Sequence, residues 1–216
     1  MEPFEDLLER LPVEDAVRAD LRRRLREPGR HYHGARHVAL LWQRHRHFGA
    51  SLALDAEPWD TRITCAIAFH DAVHDALRQD NEAASAALWR AARPRLERSA
   101  VDWVAGTIEA TADHLGAKRP PGMPEACWSA RLWVLDLDLT PIGEVPMEFA
   151  RNTARLRREY AHIPQADWNT TRLTFLRRLA ATPRLFRTPV LAEAFEVPAR
   201  TNILRELAAE RSSASQ

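Results

Sequence analysis

Glycine, cysteine and lysine are all scarce in this 216-residue chain. Seven glycines leave no GxGxxG and no GxxxxGK, which excludes the phosphate loops of Rossmann and P-loop proteins. Two cysteines, Cys65 and Cys127, are too few for a disulfide framework, have no metal-type spacing and form no CxxC. Cys65 reads as a small buried apolar residue with a free thiol. No GxSxG marks a nucleophile elbow. No apolar run approaches the roughly 18 residues of a membrane helix. The acidic start Met1-Glu2-Pro3-Phe4-Glu5-Asp6 has neither the basic nor the apolar region of a signal peptide, so the expectation is a cytoplasmic protein with no membrane partner. Lys118 is the one lysine among 31 basic residues, and arginine supplies the rest. A net charge of +1 gives no strong nucleic-acid signal, and runs such as Arg22-Arg23-Arg24 read as solvated helix faces.

What is present is helical pattern. The chain is 45% apolar and 28% charged, ordinary for a soluble globular protein, and long enough for one domain with a substantial core. Apolar residues recur at helical spacing and strand-like alternation is nearly absent. The spacing predicts helices over 4–26, 34–50, 59–77, 79–93, 97–115, 123–140, 146–162, 165–181 and 189–210. Pro28-Gly29 closes the first, Pro120-Pro121-Gly122 lies in the longest loop, and Pro141, Pro146, Pro164 and Pro183 punctuate the second half. Asp60-Thr61 is placed to cap the helix that follows. The expectation is an all-α bundle of eight to nine helices, a single domain over 1–211, with a disordered polar tail over 212–216.

Five of the nine histidines, His33, His37, His70, His74 and His114, form a set to be read together with Asp71 and Asp138. His33 and His37 stand four apart, on one helical face. His70-Asp71 and His74-Asp75 repeat the same pair four residues later, in a frame of Ile67, Ala68, Phe69, Ala72 and Val73. A helix through them would stack His70 over His74 and Asp71 over Asp75. Thr107, Thr111 and His114 fall along one stripe, and Leu135-Asp136-Leu137-Asp138-Leu139 sets two carboxylates in an apolar frame. Each has an ordinary alternative: His33 or His37 as a surface or core histidine, His114 as a favourable cation at a helix end, Asp136 as a cap or outer acceptor. His31, His45, His47 and His162 read as structural or exposed. Burying a carboxylate beside imidazoles costs several kcal/mol unless it is compensated, and a metal ion compensates it.

With these segments in view, the chain resembles the HD superfamily of metal-dependent phosphohydrolases. The closest likeness is to a bacterial branch described only as HD-domain hydrolases. The resembling segments are YHGARHV (32–38), AIAFHDAVHD (66–75), DNEAASA (80–86), IEATADH (108–114), LDLDLTPIG (135–143), LRREY (156–160) and ARTNILREL (199–207). The resemblance implies an HD-like all-α domain with His37, His70, Asp71 and Asp138 as metal ligands. It favours His37 over His33, because the apolar helix Val38-Ala39-Leu40-Leu41-Trp42 follows His37, and Asp138 over Asp136. His33 is then a substrate contact or a ligand of a second ion, and His114 is the residue placed for a second metal, with Asp71 bridging. The branch often carries tyrosine where this chain has His74.

Mixed imidazole and carboxylate ligands suit Mn, Fe, Co, Ni or Zn, as one ion or two. Such an ion would activate water and stabilise charge developing on phosphorus. Asp75, His74 and Glu82 are the candidate acid–base groups, with salt bridges or helix caps as their plainer roles. Arg157 is the candidate for holding a substrate phosphate, and Tyr160 for stacking on a base. The expected activity is hydrolysis of a phosphoester in a nucleotide or another small phosphorylated metabolite. The alternatives are a di-iron HD-type oxygenase and a metal- or nucleotide-binding regulatory module without catalysis. Trp and Leu residues at helical spacing leave room for a homodimer face.

Overall fold

The computed structural model describes residues 2–214, with side chains to residue 210. The fold is all-α, with no strand among the described residues. Ten α-helices follow one another there: α1 (Pro3–Glu9), α2 (Asp15–Leu25), α3 (Ala35–Phe48), α4 (Trp59–Phe69), α5 (Asn81–Ala91), α6 (Arg98–Ala110), α7 (Glu125–Leu139), α8 (Pro146–Glu159), α9 (Gln165–Ala181) and α10 (Pro189–Ala214). Short 3₁₀ segments extend α3, α6 and α7 at Gly49–Leu52, Thr111–Asp113 and Thr140–Gly143. No helix is long and apolar enough to cross a membrane.

The departures from the sequence expectation that matter most lie at three places. The helix read over 4–26 is two, because Pro12 bars helical geometry at Leu11 and breaks the chain. Leu11 and Val13 are buried in the break. The helix read over 59–77 stops at Phe69, which bears directly on the site. The tail expected over 212–216 is helical to Ala214, and Ser215 and Gln216 lie outside the described residues.

The backbone divides into two compact units, Met1–Asp138 and Leu139–Gln216, where the sequence reading has one domain over 1–211. In the first unit, α4 is the central helix. Every residue from Ile63 to Phe69 is buried, so the segment is apolar on all sides and must be covered on all sides. It packs against α1, α3, α5 and α6. Burying Ile63, Ile67 and Phe69 contributes about 1.5–3 kcal/mol each, before the entropy of ordering them is counted. Burial also pushes the Cys65 thiol well above its ordinary range, which keeps it inert.

Asp60 and Thr61 do not cap α4. Its N-cap is Pro58, with no side-chain bond, and Thr61 donates to Glu57 instead. Asp60 has a different task. Buried His45 on α3 accepts a hydrogen bond at Nδ1 from the Trp133 indole of α7 (3.1 Å), so its Nε2 carries the ring proton and donates to Asp60 Oδ1 of α4 (3.1 Å). One imidazole therefore joins α3, α4 and α7. Asp60 also accepts from Arg46, and its carboxyl sits below the usual range: burial opposes the shift, but His45 and Arg46 outweigh it.

In the second unit, α10 packs against α9 and the Thr140–Gly143 segment. Buried Asn202 donates through Nδ2 to the carbonyls of Ile142 (2.9 Å) and Glu144 (2.7 Å). Glu196 accepts from the amides of Leu185 and Phe186 and from Arg200. The segment 199–207 thus fastens the loops around it.

Candidate metal centre

Three helices of the first unit bring the chemistry-bearing residues together. His37 lies in the first turn of α3, His70 caps the C-terminal end of α4, and Asp138 lies near the end of α7. The expected stacking of His70 over His74 and of Asp71 over Asp75 does not occur, because α4 ends before them. Residues 71–75 instead form a loop fastened to α5. Ser85 accepts from the Val73 amide and donates to the Val73 carbonyl, and the Asn81 side chain bonds both the amide and the carbonyl of Asp75. Leaving the helix frees the Asp71 side chain to turn back beside His70.

The donor atoms converge. His37 Nε2 lies 2.9 Å from Asp138 Oδ1, 3.3 Å from His70 Nε2 and 3.8 Å from Asp71 Oδ2. His70 Nε2 lies 3.0 Å from Asp71 Oδ2 and 3.6 Å from Asp138 Oδ1. Ligands about 2.1 Å from one ion stand about 3.0 Å apart at right angles and about 3.4 Å apart at tetrahedral angles, so these spacings fit a shared ion. The donor atoms of His37, His70 and Asp138 all lie within 4.8 Å of one another; Asp71 meets the two imidazoles from outside that set. A second feature separates the cluster from an ordinary ion pair. Asp71 Oδ2 is buried and makes no hydrogen bond among the described residues, although His70 Nε2 is 3.0 Å away. A buried carboxylate oxygen left so is costly in a protein and natural around a cation.

His70 is set up as a ligand by its own backbone. Its Nδ1 donates to the Ile67 carbonyl (2.8 Å), which fixes the ring and leaves Nε2 facing the cluster. Burial disfavours the charged ring, but the carboxylates of Asp71 and Asp138 outweigh this and hold its pKa well above the ordinary imidazole value. Burial likewise opposes ionisation of Asp71 and Asp138. His70 and its neighbouring imidazoles prevail there too, and both carboxyls stay far below the usual carboxylate range.

The other expected site residues divide. His114 follows the Thr111–Asp113 segment, and its Nε2 is 2.6 Å from Asp138 Oδ2, so Asp138 meets imidazoles at both oxygens. Asp136, two residues earlier, is fully buried within α7. His33 stacks on His74, ring centroids 4.2 Å apart, and its charge acts on Asp71. Tyr32 packs edge-on against His33 and tilted on His37. Asp75 is exposed and accepts from the Leu77 amide, so its carboxylate closes a loop rather than facing the cluster. Glu82 is half-buried in the first turn of α5. Thr107 and Thr111 are spent on carbonyls of α6, Trp103 and Ile108.

Arg157 and Tyr160 belong to the second unit. One donor from each guanidinium nitrogen of Arg157 is taken, by Gln165, the Tyr160 carbonyl and the Ile163 carbonyl. The fork that sequence reading gives to a phosphate therefore closes the α8–α9 turn. Tyr160 lies against Trp168 and His162. One residue that the sequence reading gives only as structural or exposed, and one that it does not name, matter here. His45 joins the three helices that carry His37, His70 and Asp138. Arg30, in the α2–α3 loop, reaches the backbone of the His70-Asp71 loop. No motif marks either one; the single hint was Asp60 at the start of an apolar helix. No family model, no curated protein and no solved structure matches this chain.

Proposed function

We propose that this protein is a metal-dependent phosphohydrolase, acting on a phosphoester in a nucleotide or another small phosphorylated metabolite. The observation that carries the reading is the convergence of the His37, His70 and Asp138 donor atoms within 4.8 Å of one another, with Asp71 Oδ2 3.0 Å from His70 Nε2 and 3.8 Å from His37 Nε2. The donor set fits a divalent transition ion, Mn, Fe, Co, Ni or Zn. When bound, such an ion supplies a water of lowered pKa and an electrophile for phosphoryl oxygen. The resemblance to the HD superfamily points the same way.

The chain's own residues then have distinct tasks. His37 and His70 hold the ion through Nε2, His70 oriented by the Ile67 carbonyl. Asp71 and Asp138 supply negative charge, and His114 fixes the tilt of Asp138. His33 is among the main charges acting on the Asp71 carboxylate and its ring stacks on His74, and this pair takes the role of contacting phosphoryl oxygen and carrying protons. Asp75, held in its loop, does not share that role.

His114 on the second oxygen of Asp138 favours one further reading, a two-ion centre. Iron at two equivalents with oxygen consumption would identify the oxygenase of that reading. Hydrolysis is tested by a phosphate-release screen over nucleotides and sugar phosphates, with Mn, Co, Ni, Fe and Zn in turn and with His70→Ala and Asp71→Ala as controls. The expected result is metal-dependent release by the wild type and none by either variant. Release that survives both substitutions overturns the site.

A further inference from the structure

We infer that Arg30 is the positioning residue of this centre: it ties the segment bearing His33 and His37 to the loop bearing Asp71, and so sets the reach of Asp71 toward the ion. The inference rests on the metal reading above. The α2–α3 turn delivers Arg30 by a backbone hydrogen bond from its amide to the Glu27 carbonyl (2.9 Å). Its side chain is 5% exposed. Nη1 donates to the His33 carbonyl (3.1 Å) and to the Asp71 carbonyl, and Nη2 donates to the Ala72 carbonyl (3.0 Å). Nε is left facing Glu27, 3.5 Å away.

The need for such a clamp follows from how α4 ends. The carbonyls of Asp71 and Ala72 lie past the last turn of α4, where no helical amide reaches them, and Arg30 supplies donors to both. The loop departing at Asp71 has a buried ligand side chain and a backbone that must be held away from helical geometry. A guanidinium bridges two successive carbonyls with a rigid planar fork; an ammonium is a point donor on a flexible stem. Arg30 is not among the principal charges acting on the Asp71 carboxylate, which are imidazoles. It therefore acts through the backbone.

Gly34 supports the same arrangement independently. A Cβ there would meet the Leu25 carbonyl oxygen at 2.8 Å and Arg30 Cβ at 3.4 Å. Its backbone is extended, which any residue adopts, so close approach is what this glycine serves. The absence of a side chain lets the 25–30 segment lie against the start of α3, where Arg30 passes beneath His33.

The test measures cobalt and zinc affinity by chelator competition, and the visible absorption of the cobalt-loaded protein, for wild type, Arg30→Lys, Arg30→Gln and the ligand variant Asp71→Asn. Outer residues that orient ligands typically cost about 10–100-fold in metal affinity when lost. Both Arg30 variants are expected to fall in that range and to show an altered cobalt spectrum, and Lys does not rescue Gln. Asp71→Asn falls further. If either Arg30 variant fails to fold, the other carries the comparison, and Gly34→Ala, which displaces the 25–30 segment, gives the same loss of affinity. A wild type that binds cobalt while Arg30→Lys or Arg30→Gln binds it equally tightly with an unchanged spectrum overturns the role of Arg30 and leaves the metal reading standing. A wild type that binds neither ion overturns both.

Discussion

Replacing His45 with alanine tests whether the three helices carrying the centre are held by one buried imidazole. The ring is fully buried and makes two hydrogen bonds, from Trp133 Nε1 and to Asp60 Oδ1. Removing it strands the Trp133 indole N–H, itself fully buried, at about 1–3 kcal/mol. It also removes packed volume from a core position, which costs about 2 kcal/mol or more. Asp60 keeps Arg46 and is not orphaned. The sum is about 3–5 kcal/mol, or roughly 6–20 °C in Tm for a chain of this size. Thermal melting followed by circular dichroism reads it directly. His47→Ala, an exposed neighbour on the same helix, is the control and stays within about 0.5 kcal/mol of wild type. Asp60→Asn keeps an acceptor for His45 and loses only charge, so it falls between, at about 1 kcal/mol. A His45→Ala protein that melts with the His47→Ala control would refute the reasoning, because the hydrogen bonds and burial that set the estimate would carry no energy.

Other outcomes follow from the same geometry. His70 carries a proton in the metal-free protein because Asp71 and Asp138 raise its pKa; that stabilisation is present below the ordinary imidazole pKa and is lost as pH rises through the raised value. Metal uptake near neutral pH therefore releases about one proton, which titration calorimetry in buffers of different ionisation enthalpy detects, and uptake without release contradicts the assignment. Asp71 and Asp138, with lowered pKa values, stabilise the fold above the usual carboxylate range, and this is lost only at strongly acid pH. Arg157→Ala loosens the α8–α9 turn by about 1–2 kcal/mol and leaves metal affinity unchanged; a raised KM for a phosphorylated substrate, with unchanged stability, would return Arg157 to the phosphate. His114→Ala lowers affinity less than His37→Ala does if one ion is bound, and removes a second equivalent if two are.

The helices were legible because their signal is local. Apolar spacing placed α3 and α9 to within a residue or two, and the buried run from Ile63 to Phe69 announced a covered helix. The end of α4 was not legible. Ala72 and Val73 continue an apolar helical pattern, and the groups that hold the loop after the helix, the Arg30 guanidinium and the Ser85 hydroxyl, come from distant positions. The same holds for Arg157: an arginine beside a tyrosine on a polar helix reads as a free fork, and only the path of the α8–α9 turn shows three of its donors taken. His45, read from sequence only as structural or exposed, is structural; its partners were not legible because they lie on two other helices.

The metal content of the purified, untagged protein, measured by plasma mass spectrometry after equilibration against one transition ion at a time, tests the centre most directly. The expected result is about one bound ion per chain, rising to two if His114 completes a second position, with the ion lost in His70→Ala although that variant remains helical. A folded wild type that retains no transition ion, or a His70→Ala protein that retains as much, would contradict it.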